Sequence, residues 1–138
     1  MNNKEYVELA IKTDHPNYQE PVNRIDKPMA RLLHGAVGLV TESAEVLDAF
    51  KKHIFYGRVL DYVNIKEELG DVLWYIAIMC NEMDIDMESI MQVNIDKLKK
   101  RYGDKFSNEK AIDRDVKTER QLLDDGFKES YLKQVTED

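Results

Sequence analysis

The chain has 138 residues, 43% hydrophobic and 34% charged, with six Gly and three Pro. That is enough for one buried core, too little for two ordinary domains, and too ordered in composition for a disordered or collagen-like chain. Twenty Lys and Arg against 27 Asp and Glu leave a net charge of -7, which excludes the basic footprint of a duplex nucleic-acid binder. An acidic protein acting on an anionic substrate needs a metal cation or a local basic cluster to offset repulsion. The longest apolar run, Val72 to Cys80, has nine residues, far short of a bilayer span, so no membrane association is expected. Met1 to Glu5 leads into a charged segment without the apolar stretch of a signal peptide, and the expected location is the cytoplasm. Cys80, the single cysteine, sits in that apolar run and reads as a buried core thiol.

Residues 2 to 13 predict a first helix on the spacing of Tyr6, Leu9 and Ala10, ending before Asp14-His15-Pro16. Pro16, Pro21 and Pro28 then punctuate a loop. A second helix is expected from about Met29 to His53, with Leu33, Ala36, Val40, Leu47 and Phe50 as its core stripe. Residues 55 to 63 connect onward, with Gly57 marking a turn and the aromatic content leaving a short extended piece open. A third helix spans roughly 64 to 83, burying Leu69, Val72, Leu73, Ile76 and Cys80, and a fourth spans 87 to 102 and stops at Gly103. Residues 109 to 125 read as an appended helix and the last dozen as frayed tail. The expected fold is all-α, an antiparallel four-helix bundle core with an appended C-terminal helix. It divides into an N-terminal helix and loop (1–28), a helical core (29–107) and a C-terminal extension (108–138).

Phosphate-loop and dinucleotide signatures are absent, and His15, His34 and His53 stand 19 positions apart, so none forms an i, i+4 metal pair. Carboxylates remain. Acidic residues three apart occur at Glu5/Glu8, Glu42/Glu45, Glu45/Asp48 and Glu68/Asp71, a spacing that is ordinary in so acidic a chain. Context separates them. On the second helix Gly35, Gly38, Glu42, Glu45 and Ala49 share a stripe opposite the apolar one. Each glycine there costs about 1 kcal/mol of helix propensity, a cost without purpose on a merely solvated face. On the third helix Glu68, Asp71 and Tyr75 share a stripe. Antiparallel packing of the two would aim four carboxylates at one volume, and like charges that close need protonation or a cation. Carboxylate oxygens suit Mg²⁺, with Mn²⁺ as the alternative ion. On periodicity alone the metal site and a pair of exposed acidic faces stand about equal. On the fourth helix Asn94, Lys97 and Arg101 lie at i, i+3 and i+7, as phosphate donors would. For Lys99 and Lys100 a basic last turn favoured by the helix dipole suffices; for Lys97 and Arg101 both readings stand.

The pattern Glu42-Ser-Ala-Glu45, then 22 residues, then Glu68-Leu-Gly-Asp71 resembles the E-x-x-E…E-x-x-D signature of the all-α nucleoside triphosphate pyrophosphohydrolases, in their MazG-like branch. Leu32 to Glu45, Glu67 to Tyr75 and Asn94 to Tyr102 resemble family segments in the family's order, covering about residues 29 to 107, and Ile112 to Arg120 is similar to the extension of some short bacterial and phage members. The resemblance implies hydrolysis of a nucleoside or deoxynucleoside triphosphate between its α and β phosphates. It implies Mg²⁺ on Glu42, Glu45, Glu68 and Asp71, phosphate contacts from Lys97 and Arg101, and a pocket shaped by Asn94. Glu45 is the candidate general base, and Glu67 an auxiliary acid pointing about 100° away from Glu68. His34, Trp74, Tyr75 and the loop 14 to 28 are candidates to line a base pocket. The family works as dimers or dimers of dimers, so a homodimer or homotetramer is expected. Gly103 stands where many relatives have Pro, and the length excludes the family's two-domain form. The alternatives are a catalytically silent helical module that dimerises or binds nucleotide, and a phosphoribosyl-ATP pyrophosphohydrolase.

Overall fold

The computed structural model describes the backbone of residues 1–137 and the side chains of residues 1–128. It is all-helical, with no strand among the described residues. The helices are α1 (Asn3–Ile11), α2 (Gln19–Val22), α3 (Lys27–Tyr56), α4 (Tyr62–Glu82), α5 (Met87–Tyr102), α6 (Asn108–Ile112) and α7 (Val116–Glu137). Among the described residues, no helix is long and apolar enough to cross a membrane.

Local chemistry sets the helix ends. Asn2 and Glu5 form a capping box at α1. Asp26 accepts from the Met29 amide at 2.9 Å to start α3, with Pro28 in the first turn where its missing N–H costs nothing. Gly57, at φ 64°, closes α3 in the left-handed conformation that a side chain would disfavour. Asp61 then accepts from the amides of Val63 and Asn64, both at 3.0 Å, to begin α4. The connection between the two long helices is therefore a capped turn with no extended piece. The proline-rich loop holds the short α2, which periodicity does not reveal. The charged extension breaks at residues 113–115 into α6 and α7, and α7 continues to Glu137 through the stretch read as frayed tail.

Packing is pairwise: α3 lies on α4, α5 on α7, and the short α6 against α5. The α3–α4 pair is antiparallel in one continuous register, with Arg31 bonded to Glu82 at 2.7 Å, Gly35 against Met79 and Gly38 under the ring of Tyr75. A Cβ on Gly35 would stand 2.5 Å from Met79 Cγ, and one on Gly38 would overlap the Tyr75 ring. The glycine stripe thus faces α4, and Gly35, Gly38 and Ala49 are its buried residues. This corrects the expected core. Leu33, Val40, Leu47 and Phe50 are exposed, as are Leu69 and Leu73 on α4; Val72 and Ile76 are half-buried and only Cys80 of that stripe is buried. Glycine lets the two backbones approach, so the small-residue face becomes the seam and the large apolar side chains point away from it. The α5–α7 pair is also antiparallel, with Val93 against Gly126 and Arg101 against Glu119.

Candidate active site

One turn beyond Gly38 and Tyr75 the seam reaches acids. Carboxylate oxygens of Glu42, Glu68 and Asp71 lie within 4.8 Å of one another. Glu42 is half-buried, Glu68 buried and Asp71 exposed, so the cluster opens to solvent on one side. Thr41 Oγ1 donates to Glu42 Oε1 at 3.2 Å, and Asn64 Nδ2 donates to Glu68 Oε1 at 2.6 Å. Burial pushes the Glu68 carboxyl above the ordinary carboxylate range; the adjoining Glu42 and Glu67 push it further and the Asn64 amide opposes them. Three carboxylates held this close, one of them desolvated, form a donor set of hard oxygens that a divalent cation would fit.

Glu45, expected in the same volume, is not in this group of three. It is exposed, one turn along α3 from Glu42, where its charge is felt by the ammonium groups of Lys51 and Lys52. Asn94, Lys97 and Arg101 lie on α5, whose packing partners are α7 and α6, and among the described residues no hydrogen bond or ion pair joins them to the acids. Arg101 is instead clamped by Glu119: Nε and Nη2 each donate at 2.6 Å, and Arg114 Nη2 adds a third bond at 2.7 Å. Glu119 is 5% exposed, and the Arg101 and Arg114 guanidiniums hold its carboxyl down at about 2. Asn94 is exposed and Lys97 half-buried. His34 and Trp74 both meet the Tyr75 ring edge-on, at centroid distances of 5.5 and 4.9 Å, forming an aromatic cluster one turn from the acids.

Two groups of residues escape sequence reasoning. Glu119 lies outside the acid motifs, and no spacing rule links it to an arginine 18 positions earlier. Lys51, Lys52 and Arg58 line a cavity at the α3–α4 turn. Their signal is a basic cluster directly following the Glu42/Glu45 helix face, which reads first as an ordinary helix end.

The MazG nucleotide pyrophosphohydrolase domain model matches residues 34–106, spanning both acid motifs and α5. The chain belongs to the MazG nucleotide pyrophosphohydrolase family. It is 34% identical over 77 residues to the Gene 37 protein of Mycobacterium phage L5, a match covering 51% of this chain and 65% of the phage protein, a little under two thirds of that relative's length. No solved structure gives a significant match. Glu119 and Arg114 fall outside the family match, so the extension supplies the partner that binds the family's helix α5.

Proposed function

We propose that this chain is a metal-dependent hydrolase that cleaves a nucleoside or deoxynucleoside triphosphate between its α and β phosphates, giving the monophosphate and pyrophosphate. The observation that carries this reading is the convergence of Glu42, Glu68 and Asp71 in a chain of this family. These three would hold the cation, Mg²⁺ or alternatively Mn²⁺, with Glu45 adding a fourth carboxylate at the open side. A divalent ion there supplies neutralisation of phosphate charge and polarisation of the phosphoryl oxygens. The chain's own residues do the rest. Asn64 fixes the orientation of the Glu68 carboxylate. Glu45, exposed one turn along α3 from Glu42, accepts the proton of the attacking water as the water oxygen bonds to the α phosphorus, and the bond to the β-phosphate oxygen breaks with its electron pair leaving on pyrophosphate. Lys97 contacts phosphates, with Asn94 shaping the pocket, when an α5 helix crosses the seam; Arg101 joins it only on release from Glu119, which holds both its Nε and its Nη2.

The rest of the bundle comes from a second copy. Val40 and Leu47 are 69% and 68% exposed on the outer side of α3, and α5 and α7 of the same chain pair with each other instead of covering them. An exposed apolar face this extensive marks an interaction surface. Two α3–α4 hairpins laid face to face close an antiparallel four-helix bundle and bury both faces. The nucleotide pool places the reaction in the cytoplasm.

The test is ³¹P NMR of a panel of NTPs, dNTPs and phosphoribosyl-ATP incubated with the protein and Mg²⁺. Monophosphate with pyrophosphate is the expected product pair, and the rank order names base and sugar. Diphosphate with orthophosphate would contradict the assigned bond. No product from any nucleotide would leave the silent module as the reading.

A further inference from the structure

The α3–α4 seam does not end at the acids. In the same register Ala49 stands opposite Asn64, and both line a cavity of about 570 Å³ that runs to the α3–α4 turn. Asn64 belongs to both places, because it lines the cavity while its amide is bonded to the Glu68 carboxylate. Lys51, Lys52 and Arg58 surround the cavity, against Asp48 and Asp61. Asp61 is occupied as the α4 cap, accepting two backbone amides. Asp48 is shared by Lys51 and Lys52, at 2.6 Å each. Arg58 has no carboxylate partner among the described residues, while His53 Nδ1 meets its backbone carbonyl oxygen at 2.8 Å and steadies the turn. The lining is net positive in a protein of net charge -7, and through Asn64 it adjoins the Glu42, Glu68 and Asp71 cluster that would hold a cation.

We infer that this cavity is the subsite for the terminal phosphates of the substrate, with Arg58 and Lys52 as the contacts to the pyrophosphate end. The inference rests on the proposed reaction and gives its substrate a direction: the α-phosphate lies at Glu42, Glu68 and Asp71, and the β and γ phosphates extend along the seam toward the turn. The aromatic cluster of His34, Trp74 and Tyr75 lies beyond the acids in the opposite direction, where the nucleoside end falls. The subsite is built from α3, α4 and their turn alone, so it is complete within one chain. Guanidinium suits this task because its fork of donors matches phosphate oxygens.

The experiment is calorimetric titration of the full chain with inorganic pyrophosphate in Mg²⁺, for wild type, Arg58→Gln, Lys52→Gln and Arg58→Lys, with far-UV circular dichroism showing that each is folded. Arg58 side-chain replacement leaves the His53 contact to its backbone intact. Loss of one charge-assisted contact predicts roughly tenfold weaker pyrophosphate binding in Arg58→Gln and in Lys52→Gln, with partial recovery in Arg58→Lys. Unchanged affinity in both glutamine variants, or no pyrophosphate binding by wild type, would overturn the subsite. Turnover distinguishes the two proposals: a wild type that binds pyrophosphate through Arg58 but hydrolyses no nucleotide contradicts the reaction and upholds the subsite.

Discussion

Asn64 donates its side-chain amide to Glu68 at 2.6 Å across one turn of α4, and so a buried carboxylate is kept oriented where burial and its acidic neighbours disfavour its charge. The carboxyl's pKa is raised on folding, so its contribution to stability is present at low pH and is lost as pH rises through the folded value. At neutral pH, above the ordinary carboxylate range, this upward shift is therefore a cost to the metal-free fold. Glu68→Gln keeps the acceptor for Asn64 and removes the charge. Thermal melts in EDTA at pH 7 should show the variant melting above wild type. Added Mg²⁺ should raise the wild-type Tm and leave that of the variant nearly unmoved, since only a bound ligand stabilises by mass action.

Gly38 lies under the ring of Tyr75, which is itself fixed edge-on by His34 and Trp74. Gly38→Ala gains about 1 kcal/mol of helix propensity and incurs overpacking of about 1–3 kcal/mol against a ring with little room to move. The clash dominates. Urea denaturation should give a lower midpoint for Gly38→Ala, and the loss should shrink when Tyr75→Leu is combined with it.

Glu119 ties α7 to α5 through Arg101 and to the link before α7 through Arg114, and its carboxyl is held at about 2 against an ordinary value of 4.5. A lowered pKa means that the stabilisation is fully present above about pH 4.5 and is lost as pH falls toward about 2. Glu119→Gln should be less stable than wild type at pH 7, and the difference should narrow across that acid window. Denaturation series at several pH values check this, and a constant difference down to pH 2 would contradict the ion-pair account.

Val40 and Leu47 lie on the exposed side of α3, away from the glycine seam. Val40→Glu with Leu47→Glu should shift the protein from dimer or tetramer to monomer in light scattering, while helix content persists because neither residue packs within the α3–α4 pair. An unchanged mass would show that this face is not the interface between copies.

Much of this fold is written in local chemistry. The Asp26, Asp61 and Asp86 caps and the glycines Gly57 and Gly103 mark the helix ends within a few residues, because a cap is a short-range rule. The Glu42/Glu68/Asp71 meeting follows from two i, i+3 pairs and an antiparallel hairpin. The direction of the core was not legible in the same way. Leu33, Val40 and Leu47 share a stripe whether they face α4 or a second copy, and periodicity carries no mark of which partner covers it. Gly35 and Gly38 held the missing information, since a seam lined by glycine is the one where backbones approach. The Arg101–Glu119 clamp and the basic cavity at the turn depend on tertiary placement, so spacing could not reveal them.

In the proposed reaction the acids gathered on the α3–α4 seam, with a divalent cation, hydrolyse a nucleoside triphosphate. Its most direct test is pyrophosphate release from the best nucleotide of the panel by wild type with Mg²⁺, by wild type with EDTA, and by Glu45→Gln and Glu68→Gln with Mg²⁺. Release is expected from wild type with Mg²⁺ only, with a loss of at least roughly a hundredfold in each variant, the scale of a positioned acid or base. Undiminished release in EDTA, or by a folded Glu68→Gln variant, would contradict it.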